Sequence, residues 1–342
     1  MPELQGVGHG QAAAELRGGL IPRAFVWLGL LTAAAAVATW RARHYALRGN
    51  LLDQPGERRS HSVATPRGGG IAIVAVVLAA GAFLALRPSA GALWLGFLPG
   101  FLIVAGIGWW DDHRPLSPWL RLGVQAIAAL ALGAGAWGES GQVGPAVLAF
   151  GIAMVLVNVW NFMDGINGLA ASQAALAALA FSTLLTDGWH WLALAVLAGC
   201  LGFLPFNFPK ARIFLGDVGS GALGFALAGL VVAAALASPP GRLPVLLLPL
   251  TAFLVDAGFT LLERMLRGEP WWTPHVSHLY QLGARRDGHT SLTVIYEACG
   301  GVTLLLTWAL SQATLGVALA VMIAAYGVGG ALWFSLRRGW RG

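Results

Sequence analysis

Eleven continuous apolar runs constrain this chain more than any other feature of its sequence. They lie near residues 22–40, 69–86, 91–110, 120–137, 144–162, 169–186, 190–206, 219–237, 243–262, 292–310 and 314–335. About 20 apolar residues is the length at which a helix crosses the hydrocarbon of a bilayer. Inside lipid every backbone N–H and C=O must find a partner within the protein, so spanning segments are helices or closed barrels. These runs are unbroken and rich in Ala and Leu, without the alternation of roughly ten-residue barrel strands. The expected fold is an all-α polytopic membrane protein of about 11 transmembrane helices. Residues 1–20 read as an N-terminal extension, 21–336 as a single integral membrane domain and 337–342 as a basic tail. Charged residues are 11% of the 342, against about 25% in soluble domains. A water-soluble enzyme is excluded, and the short loops leave no room for a large soluble domain. Cys200 and Cys299 both sit in apolar runs, so neither a disulfide framework nor a CxxC metal site is expected.

An odd number of crossings puts the termini on opposite sides, and the positive-inside rule then assigns them. The first, third, seventh and ninth connections with the C-terminal tail hold Arg41, Arg43, Arg48, Arg58, Arg59, Arg67, Arg114, Arg121, Lys210, Arg212, Arg264, Arg267, Arg285, Arg286, Arg337, Arg338 and Arg341. That leaves Arg17, Arg23, Arg87 and Arg242 for the other face, out of 21 basic residues in all. The N-terminus is expected outside and the C-terminus in the cytoplasm. The net charge of +6 reports cytoplasmic loops and lipid headgroups, and no nucleic-acid partner is expected.

The ionisable residues are sorted in the same way. Asp53, Asp111, Asp112, Asp164, Asp217, His61, His275, His278 and His289 all fall on loops or span ends assigned to the cytoplasm. A transporter needs such groups near the midplane and a path to both faces. Asp256 lies well inside an apolar run, toward that span's cytoplasmic end. Chemistry confined to one face favours an enzyme acting on a lipid headgroup over a transporter or a structural scaffold.

Five segments carry that chemistry. Arg67 precedes Gly68-Gly69-Gly70, where backbone can approach a ligand or another helix and the guanidinium can clamp a phosphate. Asp111 and Asp112 close the third run; adjacent carboxylates repel and call for a cation, and Mg²⁺ takes hard oxygens of this kind together with substrate phosphates. In Asn158-Val-Trp-Asn161-Phe-Met-Asp164-Gly165-Ile-Asn167-Gly168, Asn161 and Asp164 are spaced to share a helix face, and the glycines open a turn whose backbone groups are free for a ligand. Pro209-Lys210-Ala-Arg212-Ile-Phe214-Leu-Gly216-Asp217 combines cations, an aromatic and a metal-capable carboxylate just before a glycine-rich helix start that favours anions. His275 and His278 are three apart, as on one helical turn; no third zinc ligand stands nearby, so phosphate binding with Arg285 and Arg286 is the better chemistry.

These motifs, in this order among eleven spans, resemble the polyprenyl-phosphate N-acetylhexosamine-1-phosphate transferase superfamily, glycosyltransferase family 4. The resemblance runs from about Asp53 to Tyr296. It implies transfer of a sugar 1-phosphate from a UDP-N-acetylhexosamine to undecaprenyl phosphate, with release of UMP and a need for Mg²⁺, for which Mn²⁺ can substitute. It implies a multi-pass protein of the bacterial inner membrane with its active site on the cytoplasmic face, and it is compatible with a homodimer. Asp111, Asp112, Asp164, His275 and His278 become the catalytic candidates, and Asp217 with Asp112 the metal ligands. Arg67, Asn161, Asn167, Lys210, Arg212 and Phe214 become substrate contacts, with Phe214 positioned to stack on uracil. Asn167 and the His275-Val276-Ser277-His278 string depart from the peptidoglycan (MraY) pattern and look more like the WecA and WbpL branch, which starts O-antigen synthesis. Val276 stands where that branch commonly carries Arg.

Overall fold

The computed structural model describes residues 6–54, 63–239, 242–270, 272–273 and 275–340, with side chains from Ile21 onward. His61, Arg58, Arg59 and Arg341 lie outside the described residues. In chain order the elements are α1 (Gly6–Arg48), a two-residue ladder of β1 (Leu52–Asp53) with β2 (Thr65–Pro66), α2 (Ile71–Ala85), α3 (Leu93–His113), α4 (Pro118–Ser140), α5 (Val143–Phe162) and α6 (Leu169–Leu184). They continue with α7 (Asp187–Asn207), α8 (Asp217–Ala237), α9 (Leu243–Leu247), a 3₁₀ turn (Leu248–Leu250), α10 (Thr251–Leu266), α11 (Leu279–Asp287), α12 (His289–Ala309) and α13 (Leu315–Trp340).

The all-α polytopic architecture is as the apolar runs require. Among the described residues, nine helical stretches are long and apolar enough to cross a membrane. The second and sixth expected spans are the shorter α2 and α6, of 15 and 16 residues. Each begins after an irregular segment packed inside the protein, a setting in which non-helical backbone is tolerated at membrane depth. The ninth expected span is α9, the 3₁₀ turn and α10 in succession, with Pro249 at the break removing a backbone donor. α1 carries Arg41, Arg43 and Arg48, expected in the first loop, on its own last turns. α13 likewise runs through Arg337 and Arg338, where a tail was expected.

α8 is the axis of the bundle, buried without interruption from Val218 to Ala234. It packs against α3, α5, α6 and α2, while α1 and α13 stand at the periphery with mostly exposed apolar faces. Small residues allow close helix approach where lipid offers no hydrophobic drive for association. At Gly70, the entry to α2, an added Cβ would lie 2.2 Å from Gly219 Cα of α8. The glycines before α2 therefore serve helix approach, one of the two uses their sequence allowed. Gly69 N and Gly70 N donate to Phe214 O and Leu215 O at 2.9 and 2.8 Å, and Phe214 N donates to Pro66 O at 2.8 Å. These bonds zip the first loop to the loop before α8, so Arg67 and Phe214 meet at one end of the bundle.

Candidate active site

The end of α3 meets the start of α8 at that same end. Asp112 Oδ1 accepts from Asp217 N at 3.0 Å and its Oδ2 from Val218 N at 3.1 Å, so this carboxylate caps the first turn of a helix 105 residues away. Gly216 has φ +77°, and a Cβ there would sit 2.6 Å from Asp112 Oδ2; the cap requires glycine at this point. Asp112 is only 2% exposed, and its backbone carbonyl accepts from the Arg67 guanidinium. The expected metal ligand and acid is thus occupied as an internal helix cap, and Arg67 is partly committed to it.

Asp111 and Asp217 instead converge on one cation. Arg121 Nη1 lies 2.9 Å from Asp111 Oδ2 and 3.2 Å from Asp217 Oδ2. The remaining oxygens accept from Leu116 N at 2.6 Å and from Asn161 Nδ2 at 2.7 Å. The sequence places Arg121 merely among the loop cations. Its signal was its place in the first turn of α4, which starts at Ser117-Pro118 with Ser117 Oγ accepting from Leu120 N at 3.2 Å. Helical side chains lean toward the N-terminus, and from that first turn Arg121 reaches the carboxylates.

Two adjoining cavities open here. The larger, about 680 Å³, is lined by Arg67, Asp111, Asp112, Asn167, Phe214, Asp217, Arg285 and His289 among others. The smaller, about 290 Å³, is bordered by Asn158, Asn161, Phe162, His278, Trp119 and Trp272. Arg121, Asp164, Gly165, His275 and Gln281 border both. Trp119 and Trp272 are 58% and 46% exposed, with ring centroids 5.9 Å apart, and stand at the edge of the smaller cavity. Lys210 and Arg212 are exposed and belong to neither lining; the Arg212 carbonyl accepts from Arg43 Nε at 3.2 Å at the end of α1.

The Asn161–Gly168 turn differs from its sequence reading. α5 stops at Phe162, so Asp164 is past the helix and the shared-face argument fails, although both residues still border the smaller cavity. Much of the turn's backbone is bonded within the protein: Gly168 N donates to Asn207 Oδ1 at 2.7 Å, and Phe162 O accepts from Tyr280 Oη at 2.9 Å. Asn167 is held by its Nδ2 donating to Pro209 O at 3.1 Å. Partial burial and the facing carboxylates of Asp217 and Asp112 push the Asp164 carboxyl well above the usual carboxylate range.

His275 to His278 is not a helical turn; His278 is the extended N-cap of α11, at φ −63° and ψ 147°. The rings nevertheless lie close, with centroids 4.8 Å apart and planes tilted by 34°. His275 faces both cavities, whereas His278 is 3% exposed behind it, with Nδ1 3.8 Å from Asp256 Oδ1. Burial, with the neighbouring His278 and the cations of Arg264 and Arg337, pushes His275 down to about 4, so its imidazole is neutral at pH 7. Asp256 is the second site residue the sequence failed to assign, although its isolation in an apolar run was visible. It accepts from Leu279 N at 2.8 Å, Tyr280 N at 3.0 Å and Tyr296 Oη at 2.8 Å, and so anchors the start of α11, which carries Gln281 and Arg285 into the cleft. Arg337, buried near the end of α13, donates to Ser277 O and pairs with Glu263, bracing the same loop.

No cluster of three or more His, Cys, Asp or Glu side chains able to enclose a metal exists among the described residues. The donor chemistry still fits Mg²⁺, which is usually held by one or two carboxylates plus substrate phosphates and water. Asp111 and Asp217 both present an oxygen to the point where the guanidinium now sits.

Residues 94–235, from α3 to the end of α8, match the family described as Glycosyl transferase family 4. Decaprenyl-phosphate N-acetylglucosaminephosphotransferase of Mycobacterium tuberculosis is 33% identical over 331 residues, covering 81% of this chain and 80% of that protein. The chain belongs to this family, the polyprenyl-phosphate N-acetylhexosamine-1-phosphate transferase superfamily. A probable undecaprenyl-phosphate N-acetylglucosaminyl 1-phosphate transferase of Bacillus subtilis is 27% identical over 82% of this chain and 83% of its own length. Phospho-N-acetylmuramoyl-pentapeptide-transferase of Heliobacterium modesticaldum is 30% identical over 80% of this chain and 89% of that protein. The family match contains Asp111, Arg121, Asn161 and Asp217, which build the carboxylate and guanidinium cluster, together with Asp112 and Asp164.

Proposed function

We propose that the protein transfers an N-acetylhexosamine 1-phosphate from a UDP-N-acetylhexosamine to undecaprenyl phosphate at the cytoplasmic face of the bacterial inner membrane, releasing UMP and initiating O-antigen or another envelope glycan. The observation that carries this reading is the meeting of Asp111, Arg121 and Asp217 where two cavities join, one lined by Arg67 and Arg285 and one edged by exposed tryptophans. The relatives' names supply the substrate classes: a polyprenyl phosphate and an N-acetylated sugar phosphate.

In this reading Arg67, Arg285 and His289 receive the nucleotide diphosphate, with Phe214 beside the base, and the lipid phosphate enters past Trp119 and Trp272. Asp217 and Asp111 would hold Mg²⁺ or Mn²⁺ with the diphosphate. The ion, when bound, neutralises the diphosphate and makes UMP a better leaving group. An oxygen of the lipid phosphate attacks the phosphorus that bears the sugar, and the bond from that phosphorus to the bridging oxygen breaks. The attacking oxygen is already ionised near pH 7, so no side chain need remove a proton. Arg121 borders both cavities and stabilises charge on either reactant. Asp164, with its raised affinity for a proton, can donate a hydrogen bond to a phosphate oxygen instead of repelling it.

Incubating the purified protein with undecaprenyl phosphate, Mg²⁺ and UDP-GlcNAc, UDP-FucNAc, UDP-QuiNAc or UDP-MurNAc-pentapeptide, and measuring UMP release, tests the proposal. Release with a peptide-free sugar and its loss in a folded Asp217→Asn variant are expected. Turnover of the pentapeptide substrate alone assigns the chain to the peptidoglycan branch, which the Heliobacterium relative represents. No UMP release with any of them overturns the proposal.

A further inference from the structure

A third cavity lies at the opposite end of the bundle from the cleft. It measures about 480 Å³ and lies between α1, the end of α2 and the start of α7. Its rim carries Arg23 and Arg87, and its wall is Val26, Trp27, Leu30 and Trp191. Since α2 begins beside the site at Gly70 and ends at Ala85, Arg87 is one helix length removed from the chemistry. The wall is built firmly: Trp27 Nε1 donates to Trp191 O at 3.1 Å, and the two indoles meet edge to face at 5.8 Å.

Among the described residues the two guanidinium groups line one cavity without a carboxylate on it, and neither has an ion-pair partner. Arg87 rests on the Phe83 ring, 5.1 Å from its centroid, an attraction that leaves its N–H groups available. Paired cations over an apolar wall repel each other unless an anion joins them. From Arg23 to Leu30 the α1 wall descends about 10 Å at 1.5 Å per residue, the reach of an acyl chain's first carbons below a headgroup.

We propose that this cavity is a binding site for an anionic phospholipid of the leaflet facing away from the cleft, with its phosphate between Arg23 and Arg87 and an acyl chain along Val26, Trp27 and Leu30. This site lies apart from the transferase reading and stands or falls independently of it. The test is native mass spectrometry of the full chain released from micelles holding equal phosphatidylglycerol and phosphatidylcholine of one chain length. The wild type should retain phosphatidylglycerol over phosphatidylcholine at least fivefold. The Arg23→Ala/Arg87→Ala double variant, checked as monodisperse and with an unchanged unfolding midpoint, should carry one fewer phosphatidylglycerol. Equal retention of the two lipids by the wild type overturns the proposal, as does an unchanged count in the double variant. Displacement of the lipid by millimolar glycerol 3-phosphate would also overturn it, because the apolar wall would then contribute nothing. Persistence of the bound lipid under that challenge supports it.

Discussion

Arg121 occupies the place where two carboxylates converge, and replacing it separates two jobs that the wild-type residue combines. Its guanidinium lies 2.9 Å from Asp111 and 3.2 Å from Asp217. A divalent ion can share those two oxygens only if the guanidinium withdraws. At an effective dielectric of about 20, unit charges about 4 Å apart interact by about 4 kcal/mol. The Arg121 and Asp217 side chains are 28% and 32% exposed, so solvent screening reduces the competition to about 1–2 kcal/mol. At about 1.4 kcal/mol per tenfold, Arg121→Met should tighten metal binding about 5- to 30-fold. Titration of the detergent-purified protein with Mn²⁺, followed by the electron paramagnetic resonance signal of the free ion, measures this directly. The same variant should lose turnover, because the cation bordering both cavities is gone. Unchanged or weaker Mn²⁺ binding in a folded Arg121→Met protein would refute the argument that guanidinium and metal compete for Asp111 and Asp217.

Asp256→Ala strands the Leu279 and Tyr280 N–H donors at about 1–3 kcal/mol each, so it should lower the unfolding midpoint and raise KM for the nucleotide sugar more than tenfold as α11 loosens. Thr260→Val, which removes only one hydroxyl donor 3.1 Å from the same carboxylate, should do far less to KM, and equal effects would remove the positioning role. His275 titrates near 4 when folded and about 6.5 when unfolded, so the unfolded chain binds more protons between those values and stability falls as the pH drops through that window. With allowance for its partial exposure the loss is about 1–2 kcal/mol, and unfolding midpoints from pH 7.5 to 4.5 should fall more steeply for the wild type than for His275→Gln. For the topology, in a background lacking Cys200 and Cys299, Gln142→Cys between α4 and α5 should react with a membrane-impermeant thiol reagent in intact cells. Lys210→Cys should react only after the membrane is opened, and the reverse pattern would put the cleft outside.

Apolar run length determined the fold class, because a lipid-crossing segment must satisfy its own backbone, and that demand is local. The one-sided sorting of Asp111, Asp164, Asp217 and His275 was likewise legible, since every span reverses direction and alternate loops meet at one end. The sequence could not apportion roles within that end. Asp111 and Asp112 are neighbours in the chain but point to different partners. One faces Arg121, and the other has both oxygens drawn to the backbone of α8. Lys210 and Arg212 look like phosphate ligands beside Asp217, yet the zipping of their loop to Pro66 and Gly70 leaves them outside the cavity linings. Arg121 and Asp256 looked like an ordinary loop cation and a stray buried acid, and contacts across 96 and 23 residues give them their places. Periodicity and length are properties of a single segment, whereas which atoms share a cation or a cap depends on how several helices are packed, and only the tertiary structure holds that information.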